Sequence, residues 1–401
     1  MTVKLAYSAD VTWKNHSPTR ADTANFDSSF KMQMNMSHII INTENGRLVF
    51  FITYNLAFVA ALAIFIFRNR RRSNSLIKTL IVAATGTLFF VLGMNFSSLD
   101  LEALKGFILG KGFPQVHEKN FLGGVIGLIA GVILASRWLR LKRGVLDDFA
   151  IALPLGMAIH RVGCLFTGCC FGIPSTMPWA VCYSAGSQAY WAHCCDPAFS
   201  GIFSLPVHPV QAYEIILCVA IAIVVWKTIP RFHAPGNPFR FSMILYGISW
   251  FTLEFLRDPR GVYVGSEDFI GLRMIQWYLL LSVVVLTIIL VLKERSLANR
   301  ETKETTLKEA GFSRIIALAA VILLVLIFIH NQLDLMDQLL VWMILFPVCA
   351  MCGWRMFSRI TIPRLRLASV LVLISGLLLM SQIPMPSGKD EKVKYTEIGV
   401  T

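Results

Sequence analysis

The chain has 401 residues and a mean hydropathy of +0.62, with 55% hydrophobic and only 15% charged residues. That balance excludes an ordinary water-soluble globular enzyme and points to a polytopic membrane protein. The net charge of +13 is gathered in clusters between apolar blocks. Such clusters set membrane orientation and bind anionic lipid heads, so no nucleic-acid partner is expected.

In chain order, residues 1–45 are polar, with "NHSPTRADTANFDSS", and lack the apolar core of a signal peptide. They are expected to form a loose external arm, and Met32, Met34 and Met36 raise the prospect of a later start. Apolar blocks follow near 48–67, 76–96, 121–139, 145–166, 211–229, 241–256, 272–292, 314–331, 338–354 and 367–383. A bilayer core of about 30 Å takes roughly 20 residues of helix, so each block is read as a span. Barrel strands would alternate in segments of about ten residues, and these blocks do not, so the fold class is all-α, a transmembrane helical bundle.

Basic clusters fall in every second loop: "RNRRR" from Arg68 to Arg72, "RWLRLKR" from Arg137 to Arg143, Lys227 to Arg240, Lys293 to Arg314, and Arg355 to Arg366. The positive-inside rule puts these in the cytoplasm. The N-terminus, the long loop after Gly172 and the tail "PSGKDEKVKYTEIGVT" are then external. The expected organisation is an arm (1–45), a membrane core (46–296) with an external Cys-rich loop (167–210), a cytoplasmic linker (297–313), further helices (314–383) and a polar tail (384–401).

Six of nine cysteines, Cys164, Cys169, Cys170, Cys182, Cys194 and Cys195, fall on or beside the external loop. An oxidising compartment permits disulfides there, and the pairs at 169–170 and 194–195 could clamp the loop ends together. A metal site including His193 is the alternative, but adjacent cysteines lack the C-x2-C spacing of structural zinc, and no metal ligand is assigned. "CAMC", Cys349 to Cys352, has redox-motif spacing, but two thiols one helical turn apart within a span read as packing residues.

"HRVGCLFTGCCFG" ends an apolar helix with an arginine. Arginine at a bilayer centre costs about 2.5–3.5 kcal/mol on insertion scales, so Arg161 needs a partner or a polar cavity. Snorkelling to the interface is the bland account. Gly163, Gly168 and Gly172 favour another, a glycine-lined break in the helix where the guanidinium grips a lipid phosphate. "HPVQAYE" brings His208, Gln211, Tyr213 and Glu214, and "YGISWFTLEFLRDP" brings Tyr246, Glu254 and Arg257. Glu254 and Arg257, three apart, form a pair, and Glu214 and Glu254 are the candidate counter-ions of Arg161. His160 adjoins Arg161, but neighbours on a helix diverge by about 100° and need not share a cavity.

In these fragments the chain resembles the prolipoprotein diacylglyceryl transferase family over roughly residues 40–292. "LGGVIG" (Leu122–Gly127) resembles H-G-G-L-I-G, and "HRVGCLFTGCCFGIPS" resembles G-R-I-G-N-F-I-N-G-E-L-W-G-R-P-T, with "MPWAV" following. "HPVQAYE" resembles H-P-S-Q-L-Y-E, "YGISWFTLEFLRDP" resembles Y-G-x-x-R-F-x-x-E-F-F-R-x-P, and "GLRMIQ" resembles G-L-T-M-G-Q. The resemblance implies transfer of a diacylglyceryl group from phosphatidylglycerol to a lipobox cysteine of a preprolipoprotein in a bacterial inner membrane, without a cofactor. It implies catalytic roles for Arg161, Glu254, Tyr246 and His208. Substrate binding falls to Gly123, Gly124, Gly163, Gly168, Gly172, Gln211, Tyr213, Glu214 and Arg257. The chain departs at Leu122, where the family has histidine, at Trp250, where it has a second arginine, and at Cys164, Thr167 and Cys169, where it has two asparagines and a glutamate. Those departures leave two further readings, a non-catalytic or transporting lipid-binding relative and a membrane thiol-redox protein.

Overall fold

The computed structural model describes residues 39–71, 75–97, 105, 121–141, 144–194, 196, 202–261, 268–298, 311–329, 333 and 335–359. Its helices are α1 (Gly46–Arg71), α2 (Leu76–Phe96), α3 (Phe121–Trp138), α4 (Phe149–Thr167), α5 (Gln188–His193), α6 (Val210–Thr228), α7 (Asn237–Glu254), α8 (Met274–Ala298), α9 (Phe312–Ile329) and α10 (Leu335–Arg359). Short strands β1 (Ile39–Ile41) and β2 (Val181–Tyr183) pair in parallel, and β3 (Asp268–Phe269) and β4 (Leu272–Arg273) pair antiparallel.

Seven helices, α1, α2, α3, α4, α6, α8 and α10, are long and apolar enough to cross a membrane. The chain is therefore an all-α polytopic membrane bundle. Two expected spans, 241–256 and 314–331, are helical as α7 and α9 but fall below that standard. α7 devotes positions to Asn237, Arg240, Ser242, Tyr246 and Glu254, and the apolar part of α9 is short. The expected tenth span at 367–383, the tail and most of the arm and linker lie outside the described residues.

Two hubs organise the packing. α2 is flanked by α3, α9 and α10, while α4 is flanked by α1, α6 and α7, with α8 against α7. Hydrocarbon offers no hydrophobic drive between helices, so close approach of small residues does the work. At the α2–α3 contact a Cβ on Gly93 would strike the Gly123 carbonyl, and one on Gly127 would strike the Phe89 carbonyl. Gly163 plays the same part between α4 and α1, where a Cβ would meet the Thr53 hydroxyl. Large apolar side chains such as Ile52 and Leu56 on α1, Ile216 and Trp226 on α6, and Leu281 and Leu292 on α8 face outward, as lipid contact requires.

The loop between α4 and α6 is a compact cap. Phe171, Val181, Tyr183, Ala189 and Val207 form its own small core, and β1 joins it through Ile39↔Val181, Ile40↔Cys182 and Ile41↔Tyr183. The turn after α7 fastens the cap. Arg260 donates to both carboxylate oxygens of Asp258 at 3.0 and 2.8 Å and to the Ala192 carbonyl at 2.9 Å, and the His193 ring lies 3.8 Å from Asp258. At the other end of the bundle, Asp147 accepts the Gly236 and Phe239 N–H groups at 2.9 and 3.4 Å, capping the start of α7. Glu294 there accepts the His233 N–H and the Asn237 side-chain amide, both at 2.6 Å.

Candidate functional site

The cap end of α4, α6 and α7 gathers a buried network of charge. Arg161, on α4, places Nε 2.8 Å from Glu214 Oε1. Glu214, on α6, also accepts from the Tyr246 hydroxyl at 3.0 Å and from Arg257 at 3.0 Å through its second oxygen. Glu254, the last residue of α7, accepts from Arg273 at 2.8 Å and the Trp250 indole at 3.3 Å, with Arg257 Nε at 3.8 Å. Arg273 donates further to the Arg257 carbonyl at 2.7 Å. Arg161, Glu214, Glu254 and Arg257 are 7, 2, 1 and 3% exposed, so these charges are out of water and must satisfy one another.

Arg161, Arg257 and Arg273 face Glu214 and Glu254, so three guanidinium groups meet two carboxylates among the described residues. One positive charge is left in excess. In a medium of low polarity that is an electrostatic invitation to a single anion, and guanidinium geometry favours a phosphate.

The expected glycine-lined break at Arg161 is not what forms. α4 runs unbroken through Arg161 to Thr167, and the turn comes at Gly168, whose φ of +67° is the left-handed conformation that glycine tolerates. Gly163 admits α1, and Gly123 and Gly124 admit α2: a Cβ on Gly124 would press on Met94 and Phe90. Gly172 allows the cap to thread between the start of α6 and the end of α7. Its N–H donates to the His208 carbonyl at 3.2 Å, the next N–H donates to Leu256 at 2.9 Å, and a Cβ would crowd both carbonyls.

Of the residues expected at the site, Arg161, Glu214, Tyr246, Glu254 and Arg257 share one network. Glu214 is the counter-ion of Arg161, and Glu254 serves Arg257 and Arg273 instead. Gln211 fixes the cap by donating to the Cys169 carbonyl at 2.7 Å. His208 and Tyr213 stand together, 3.3 Å apart, with the Trp179 indole donating to Tyr213 at 2.7 Å, rather than in the arginine network. Phe121, next to Leu122, lies 6.3 Å from both the Tyr246 and Trp250 rings, which brings the start of α3 to the network's border.

Arg273 escaped the sequence reading as a site member. The signal for Arg273 was present, an arginine where the resembling motif "G-L-T-M-G-Q" has threonine. His160 and Arg161 diverge around the helix, yet His160 Nε2 and Arg161 Nη1 each lie 3.7 Å from Cys164 Sγ, because residues three and four positions on share a face with both. Cys169 and Cys170 are free thiols, not a clamp to the 194–195 pair. Cys182, in β2, is a buried structural thiol whose pKa burial pushes up to about 11.

The fold and site define a polytopic helical membrane protein with a buried arginine–carboxylate cluster beneath a small cap. The sequence model of the prolipoprotein diacylglyceryl transferase family matches residues 48–293, and the chain belongs to that family. It is 32% identical over 180 residues to a phosphatidylglycerol–prolipoprotein diacylglyceryl transferase of Coxiella burnetii, covering 43% of this chain and 59% of that one. It is 28% identical over 186 residues to one of Idiomarina loihiensis, covering 45% and 62%, and 28% identical over 215 residues to one of Dehalococcoides mccartyi, covering 52% and 78%. The chain thus spans 59% and 62% of the length of the first two of these relatives.

Proposed function

We propose that the protein transfers the diacylglyceryl group of phosphatidylglycerol to a cysteine thiol, such as the lipobox cysteine of a preprolipoprotein. The observation that carries this reading is the excess guanidinium charge of the Arg161–Arg257–Arg273 cluster, with Arg161 and Arg257 buried and Arg273 at its edge, where three helices meet the cap. In this reaction a sulfur attacks a glyceryl carbon and a phosphate oxygen leaves with the bonding pair, so negative charge builds on the phosphate in the transition state. Preorganised donors in a water-poor site stabilise that charge most effectively. Arg161 is assigned to the phosphate. Glu214 and Tyr246 hold its guanidinium in place, and Glu254 orients Arg257 and Arg273 from the other side. Gln211 and the turn at Gly168 to Gly172 keep the cap over the cluster.

The same proposal places the protein in a bacterial inner membrane, with the cap and N-terminus external and the basic loops cytoplasmic. Residues 46–296 are the transferase-like core. The segment from 314 to 383 is assigned to extra helices, and α9 and α10 lean on α2, away from the arginine network.

A test is incubation of the purified chain with phosphatidylglycerol vesicles and a lipobox peptide, following release of glycerol phosphate and formation of the thioether. Wild type turns over, and Arg161→Ala loses about 10²–10³-fold, the cost of removing one transition-state donor. Leu122 and Trp250, where the family has histidine and arginine, favour one competing reading, a non-catalytic lipid-binding relative. That reading prevails if the vesicles bind in an Arg161-dependent manner with no glycerol phosphate released.

A further inference from the structure

Beside the arginine network lies a cluster that the proposed chemistry has not used. Cys164 sits in the last turn of α4, and the chain reverses at Gly168, so that Cys169 and Cys170 fold back on it. Their three sulfur atoms lie within 4.8 Å of one another as unbridged thiols, Cys164 buried and the other two half-buried. Cys170 is one of the few non-glycine residues at positive φ, +55°, a conformation that costs an L side chain about 1–2 kcal/mol and persists where function holds it.

Further contacts point the cluster at a ligand. The Thr167 hydroxyl lies 3.2 Å from Cys169 Sγ, and Gln211 pins the Cys169 backbone, the kind of outer support that orients metal ligands. The Arg161 guanidinium lies 3.7 Å from Cys164 Sγ. The His160 ring is wedged between Phe50 and Tyr54, at 5.3 and 5.5 Å, with Nε2 turned to Cys164 Sγ at 3.7 Å. Tetrahedral zinc, with Zn–S bonds of about 2.3 Å, sets its sulfur ligands about 3.8 Å apart, a contraction of at most about 1 Å from the observed arrangement. Sequence spacing gave no such hint, because the ligands are brought together by the turn at Gly168 and not by a C-x2-C motif.

We propose that Cys164, Cys169 and Cys170 form a three-thiolate site for a thiophilic divalent cation, Zn²⁺ fitting best, whose fourth position receives the acceptor cysteine. The second half of this proposal rests on the transferase reading given above. Three protein ligands and one open position are the mark of a catalytic rather than a structural zinc. A thiol bound there loses its proton, which passes to solvent at the half-buried edge of the cluster. Its sulfur then forms a bond to the glyceryl carbon while the carbon–oxygen bond breaks. The electron pair stays on the phosphate oxygen, which departs as glycerol phosphate beside Arg161. The cation remains divalent throughout. Thiol activation by the metal meets the need that Leu122, with no ionisable group, leaves unmet.

The test uses the full chain in detergent, stripped of metal under reducing conditions and titrated with Co²⁺ and then Zn²⁺. One equivalent of cobalt binds, with thiolate-to-cobalt charge transfer in the near ultraviolet, and zinc displaces it. The bands vanish in the Cys169→Ser/Cys170→Ser double variant and persist in Cys182→Ser. A lipobox peptide shifts the cobalt bands, and the same peptide with serine for cysteine does not. Transfer falls about 10²-fold or more without metal and returns with Zn²⁺, on the scale of losing a positioned base. Absence of thiol-dependent cobalt binding, or cobalt bands indifferent to the cysteine peptide, overturns the proposal. Arg161-dependent binding of phosphatidylglycerol vesicles is measured separately and shows that the double variant is folded. If lipid binding and transfer fail while the peptide still ligates cobalt, the transferase reading falls and the metal site stands.

Discussion

The two ends of the helical bundle place their carboxylates differently. At the Asp147 end, Asp147 and the partly exposed Glu294 accept backbone N–H groups and a side-chain amide, and the buried Asp148 stands 3.7 Å from Arg68, one carboxylate to one arginine. At the cap end, Glu214 and Glu254 are spent on arginines, and the arginines outnumber them. The first arrangement is self-sufficient and holds helices together. The second is incomplete by one anion, and incompleteness is what a binding site needs.

Removing one carboxylate from each end separates the two roles most strongly. Glu214→Ala strands Arg161 and Arg257, and loss of one partner of a buried ion pair costs about 3–5 kcal/mol. Thermal unfolding in detergent should record a large drop, with transfer abolished. Asp147→Ala frees two N–H groups at the start of α7, for about 1–2 kcal/mol, and leaves transfer per folded molecule unchanged. If the Asp147 variant lost activity in proportion to the Glu214 one, the division of labour between the ends would be wrong. Between them in size stands Gly127→Leu on α3, which forces side-chain atoms onto the Phe89 carbonyl. Overpacking of this kind costs about 1–3 kcal/mol, read by the same melt with the lipid affinity of the folded fraction intact.

The smallest effect concerns Asp258, which fastens the cap. Burial pulls its carboxyl upward, but hydrogen bonds from Arg260, with His193 close by, hold it well below the ordinary carboxylate range. A depressed folded pKa gives stability that is complete above the unfolded value of about 3.9 and is lost as pH falls toward the folded one. Proteolysis of the cap should therefore accelerate below that pH. Asp258→Asn should flatten the dependence while leaving the membrane helices protected.

Much of the bundle was legible because bilayer physics writes it plainly: long apolar blocks make helices, and a lone arginine among them demands company. Arg161, Glu214, Tyr246, Glu254 and Arg257 carried that demand on their face. Pairing was not legible, since Glu254 and Glu214 are equally carboxylates until the register of α6 against α7 chooses between them. Gly123, Gly124 and Gly163 were legible as close-approach positions but not as to what approaches, because a missing side chain admits a helix as readily as a ligand. The cysteine triad was hidden by the same kind of gap, its geometry made by a turn whose residues 168 and 170 are both left-handed. α7 fell short as a span because polar residues at both ends, Asn237, Arg240 and Ser242 at its start and Glu254 at its finish, displace apolar ones.

The parallel ladder between β1 and β2 has a consequence for how the molecule is made. Thr43 bonds Ser184 across 141 positions, so the cap borrows a strand from before the first membrane helix. Closing so long a loop is slow unless its ends are already held near each other. Packing of α1 against α4 does that, bringing residues 39–41 beside residues 181–183. The cap is complete only where β1 meets β2, so its resistance to protease should report that the two helices stand side by side.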